Sequence, residues 1–114
     1  MSFKIVFPTG YQINDKINDN IDINVILSNG DVYFATLFTL SNIQYLMGKD
    51  RHNFFWADSM LIVESLDKNS IREAISEMIS EGYFNNALSK IGNIDSIYGR
   101  SNTYSELIDM SRTR

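Results

Sequence analysis

The sequence predicts an α+β fold: an antiparallel sheet of about four to five strands, with two to four helices packed mainly on one face. Three stretches carry that expectation. Residues 21–28, IDINVILS, place Ile21, Ile23, Val25 and Leu27 on one face and run into Asn29-Gly30, the strongest short hairpin signal. Residues 54–64, FFWADSMLIVE, hold the only tryptophan and have apolar side chains at both odd and even positions. That is the pattern of a central strand covered on both faces. Ile71, Ala74, Ile75, Met78 and Ile79 recur at the spacing of one buried helix stripe.

Taken in order, residues 3–7 read as a short first strand closed by Pro8-Thr9-Gly10, and the polar stretch 11–20 reads as a loop. The hairpin follows, with residues 31–40 as its return strand. A two-residue type I′ turn pairs Leu27 with Val32, Val25 with Phe34, Ile23 with Thr36 and Ile21 with Phe38, and these form the core face. Tyr33 then falls on the second, half-polar face. A short helix starts near Ser41, with Ser41 and Gln44 as a capping box or Thr39 as an earlier cap, and stops at Gly48. Residues 48–53, GKDRHN, form an exposed loop. Within 54–64 the polar pair Asp58-Ser59 is read as a β-bulge, with a tight hairpin as the alternative. The second helix begins at an Asp67 or Ser70 cap and ends at Gly82. Residues 83–91 read as a further short helix. In the final stretch, 92–114, Thr103 with Glu106 caps a last helix before a frayed end.

One domain is expected over residues 1–114, with a core at 21–91. Hydrophobic and charged contents of 44% and 21% are ordinary for a globular chain. Cysteine is missing, which excludes disulfide and thiolate chemistry and fits a reducing compartment. The N-terminal apolar run is too short for a signal peptide, and no run reaches the ~20 apolar residues that span a bilayer. The expectation is a cytoplasmic protein with no membrane contact. A net charge of −4 and a pI near 4.8 disfavour nucleic acid as the ligand and suit a basic protein partner.

No motif carries chemistry. The single histidine, His52, lies in the polar loop, without the ligand spacing of a metal site. Ser41 or Ser59, His52 and Asp58 can be written as a triad, but no GxSxG elbow accompanies them. No glycine-rich phosphate loop is present. No catalytic, metal or cofactor-binding residue is therefore assigned, and no cofactor is expected. The candidates are for partner binding. Glu73, Glu77 and Glu81 make a carboxylate stripe at i, i+4, i+8, which is either a solvated helix face or an acidic docking surface. Asp58 is read as a turn or bulge residue that is a partner-binding candidate if it lies exposed in a concave pocket. Trp56 and the neighbouring aromatics are read as core, with an exposed binding hot spot as the alternative. Tyr11, Tyr33, Tyr83 and Tyr98 are read as better surface contacts, Tyr33 foremost.

The order Phe38-Thr39-Leu40, Asn42-Ile43, Leu46-Met47, Phe55-Trp56-Ala57-Asp58-Ser59-Met60, Ile62-Val63 and Glu81-Gly82-Tyr83-Phe84 resembles a family of small bacterial immunity proteins of polymorphic and contact-dependent toxin systems. The likeness covers about residues 22–90, and its motifs are structural. Asp58-Ser59 stands where the family pattern has the reverse order. The resemblance implies a non-catalytic protein that binds and neutralises a cognate toxin domain. The acidic pI and the Glu stripe suit a basic nuclease as its target, and a monomer or homodimer is expected. The alternative is a homo-oligomeric structural or interaction protein that pairs through a hairpin edge or the Tyr33 face. A small enzyme is the third class.

Overall fold

The computed structural model describes residues 2–8, 12–13 and 15–112. Its elements run β1 (Phe3–Val6), β2 (Asn20–Leu27), β3 (Asp31–Thr39), α1 (Leu40–Asp50), β4 (Met60–Val63), α2 (Lys68–Glu81), α3 (Phe84–Ala87), β5 (Ser89–Asn93) and α4 (Ile94–Tyr98). Two 3₁₀ turns, Tyr104–Glu106 and Met110–Arg112, follow. The five strands form one mixed sheet, so the α+β class holds. The mixture corrects the all-antiparallel expectation. β1, β2 and β3 are antiparallel neighbours, whereas β4 pairs with β3 in parallel. A parallel pair needs a crossover connection of a dozen or more residues, and residues 40–59, carrying α1, supply it.

β3 is the central strand. β2 lines one of its edges, and β5 and β4 share the other, β5 beside residues 31–34 and β4 beside residues 36–39. Its sequence, DVYFATLFT, is apolar at both parities, and both faces are covered.

The hairpin register differs by one residue from the type I′ expectation. Val25 lies opposite Tyr33, and Ile26 opposite Val32. Ser28, Asn29 and Gly30 all sit in the loop, and only Gly30 has positive φ, at 95°. A type I′ turn needs positive φ at two successive residues; one glycine suits a three-residue loop. Asn29 instead turns its Oδ1 to accept the Asp31 amide at 2.9 Å. A one-residue slip exchanges the two faces of a strand. Ile21, Ile23, Val25 and Leu27 stay in the core, but Tyr33, Ala35 and Leu37 join them in place of Val32, Phe34, Thr36 and Phe38.

α2 forms as its sequence dictates. Asp67 caps it by accepting the Ser70 amide at 2.8 Å, and Gly82 closes it at φ 79°. Ile71 and Ile75 are fully buried against Ile5, Ile23, Val25 and Leu37, with Ala74, Met78 and Ile79 partly so. Each buried isoleucine contributes roughly 1.5–3 kcal/mol. α1 is capped by Thr39, which accepts from the Asn42 amide, and runs past Gly48 to Asp50. Gly48 and its two successors are thus helical, not loop.

The last third departs furthest from expectation. Residues 83–91 are not one helix: α3 is a single turn, and the chain then extends as β5. Short apolar runs of this kind suit either element, and the open upper edge of β3 decides the matter. Ile94, Tyr98, Tyr104 and Leu107 cover the second face of the sheet over Ile26 and Val32. α4 therefore packs on the face opposite α2 and α3. The segment beyond reaches back to β1. Lys4 donates to the carbonyls of Tyr104 and Leu107, and Asp109 accepts the Ile5 amide at 3.3 Å. Residues up to Arg112 are ordered by these contacts, and Thr113 and Arg114 lie outside the described residues.

Candidate protein-binding surface

Residues 54–59 do not form the covered strand expected of them. Strand structure begins only at Met60, after a turn at Asp58-Ser59 in which Ser59 adopts φ 53°. Ser59 is buried. Its carbonyl accepts the Thr36 amide at 3.0 Å, and its hydroxyl lies 2.5 Å from that of Ser89. The pair is a turn leading into an outer strand, not a bulge within a central one.

Ahead of that turn, burial alternates. Phe55 packs edge-on against Phe38, with ring centroids 4.9 Å apart. Phe54 stacks on His52 at 5.0 Å and is 56% exposed. Trp56 is 78% exposed, which overturns its assignment to the core. Phe55 is the inward anchor, and its two neighbours are held outward by it. Leu40 and Tyr45 of α1 and Ile62 of β4 are also exposed. Single exposed apolar residues are common; a tryptophan flanked by a phenylalanine on an anchored segment is the composition of a binding hot spot.

A shallow groove of about 410 Å³ runs between β4 and α2. It is lined by Ile62, Val63, Glu64, Ser70, Glu73, Ala74 and Glu77. Three carboxylates face it, and no lysine or arginine does. Among the described residues, no ion pair engages Glu64, Glu73 or Glu77. Near its mouth, the Ser70 amide and hydroxyl hold the Asp67 carboxyl below its ordinary range, so the cap of α2 is ionised in neutral solution.

The expected site residues thus separate. Glu73 and Glu77 meet in the groove. Glu81 is exposed at the end of α2 but does not line it. Asp58 is exposed in the turn before β4. Tyr33 is not on the surface: the register slip turns it into the core at 7% exposure, against Phe84, with its hydroxyl donating to Asn85 at 3.0 Å. Tyr98 is partly buried and bonds Asn24, Tyr83 is exposed, and Tyr11 lies outside the described residues. The hairpin edge is closed too, since β2 pairs on both sides. The exposed alternative for Trp56 is the one the structure shows, whereas Ile62 and Glu64 have no place among the expected partner-binding residues. The period-two alternation of 54–59 was the available signal, hidden because its outward residues are aromatic.

Among the described residues, no group of three or more histidine, cysteine or acidic side chains could hold a metal ion, and no helix is long and apolar enough to cross a membrane. The chain is an α+β protein built on a five-stranded mixed sheet. A comparison with known proteins finds no family model that matches it, and no match among curated proteins or solved structures.

Proposed function

We propose that this chain is a non-catalytic immunity protein that binds a bacterial toxin domain in the cytoplasm and neutralises it. The observation that carries the reading is Trp56, exposed beside Phe54 on a segment that Phe55 pins to the sheet. Burying such aromatics against a partner supplies hot-spot energy with little ordering cost, because their base is already rigid. The carboxylates Glu73 and Glu77 in the groove between β4 and α2 suit a basic target such as a nuclease, where charge complementarity accelerates encounter. The order of residues from Phe38 to Phe84 that resembles the immunity family points the same way.

The test is co-expression with the toxic domain encoded beside this chain. Rescue of growth and co-purification as a stoichiometric complex are expected. Absence of both with every neighbouring candidate domain would end the reading.

A further inference from the structure

We infer that the outward edge of β4 and the groove beside it receive an extended, lysine- or arginine-rich segment of a partner protein, laid down as an added strand. That the segment belongs to a toxin rests on the function proposed above; the site itself rests on geometry. The Ser59 carbonyl points at β3, where it accepts from Thr36. Backbone groups alternate in direction along a strand, so those of Met60 and Ile62 point away from β3. Among the described residues, no strand or backbone hydrogen bond meets them there.

The opposite edge of the sheet is treated differently. There Asp109 takes up the outward amide of Ile5, and Lys4 ties the C-terminal segment across. Edge strands are ordinarily blunted by lysine, proline, a bulge or a covering segment. β4, MLIV, carries no lysine or proline, and Ile62 is 47% exposed. Its open edge is flanked by Glu64, Glu73 and Glu77, with no cation lining the groove.

That charge selects the occupant. An added strand gains main-chain hydrogen bonds from any sequence, and side chains supply the choice. Lysine or arginine at alternate positions would reach the carboxylates, while apolar residues between them cover Ile62. A second copy of this chain fits badly, because pairing two β4 edges would bring two acidic grooves together.

The test uses the ¹⁵N-labelled chain and a short peptide alternating lysine and valine, with the same peptide N-methylated at every second amide as control. Expected are saturable shifts at the amides of Met60 to Glu64. Binding falls about tenfold or more with the N-methylated peptide, and again in the triple variant Glu64→Gln, Glu73→Gln, Glu77→Gln. Shifts centred elsewhere, equal binding by the N-methylated peptide, or an unaffected triple variant would overturn the site. So would concentration-dependent broadening of these amides without peptide, the mark of self-pairing. The two readings can fail separately. If the wild type and the triple variant rescue cells from the toxin equally, neutralisation stands and this site falls. If the peptide binds at β4 and no toxin domain is neutralised, the site stands and the immunity function falls.

Discussion

Arg72 of α2 and Asp109, just ahead of the final 3₁₀ turn, meet with Nη1 and Oδ2 2.5 Å apart. The same carboxylate accepts the Ile5 amide and the amide and hydroxyl of Ser111. One side chain thus joins a helix, an edge strand and the C-terminal segment, and it is only 11% exposed. Replacing Asp109 by alanine strands a half-buried guanidinium and a strand amide. The expected loss is about 2–4 kcal/mol, read as a lower urea midpoint with an unchanged slope.

The same group sets an acid limit. Burial pushes the Asp109 carboxyl up, but the Ser111 hydroxyl, the Ile5 amide, the Arg72 charge and the Ser111 amide outweigh it, and its pKa lies below the ordinary 3.8. A carboxylate with a depressed pKa in the folded state contributes fully above its unfolded value. That contribution disappears as pH falls below 3.8 through the folded value. Stability measured from pH ~7 to ~2 should drop in that lower range. Asp109→Asn should be less stable at neutral pH and show a shallower acid decline, while the Asp67 cap, lowered in the same sense, leaves a residual slope in both.

Trp56→Ala should leave stability within about 0.5 kcal/mol, since the side chain is largely in water. Affinity for the proposed toxin partner should fall by about 2 kcal/mol or more, roughly thirtyfold in Kd by calorimetry. Loss of folding stability without loss of affinity would return Trp56 to a structural role.

Tyr33→Phe should behave in the opposite way. It removes the hydroxyl donated to Asn85 and nothing from the surface. The expected cost is about 1 kcal/mol of stability with partner affinity unchanged, measured by thermal unfolding and titration.

Gly92 lies opposite the irregularity between Val32 and Tyr33, at φ 152°, where a Cβ would stand 2.5 Å from the Ser96 hydroxyl oxygen. That hydroxyl closes the capping box of α4 with Asn93. Gly92→Ala should cost about 1–3 kcal/mol. Combining it with Ser96→Ala should cost less than the sum, because the clash and the cap share one atom.

What could be read from the sequence was local. Asp67, the stripe from Ile71 to Ile79 and Gly82 lie within one helix, and each acts on its own neighbours. The hairpin was found but its register was not, because Ser28-Asn29-Gly30 serves a two- or a three-residue loop and the choice turns on one φ angle. That choice moved Tyr33 from surface to core. The stretch from Phe54 to Val63 failed for another reason. Apolar residues at both parities mark a strand covered twice, or an outward face kept for a partner, and sequence alone offers both. The parallel pairing was nearer to hand, since a strand, a helix and a second apolar run in succession are the ordinary route to it. Asp109 was out of reach: two of its contacts come from residues 5 and 72, and no spacing rule links them.

The clasp between Ile5 and Asp109 also orders events in time. Their separation of 104 residues corresponds to about 5–20 s of chain synthesis. For that interval β1 can form with β2 while its outer amides have no partner. The first strand made is among the last to be sealed, and until then the nascent chain exposes the β1 edge as well as the β4 edge. Stalled or shortened chains lacking residue 109 should therefore be the aggregating species, and chaperone demand should fall once that residue is made.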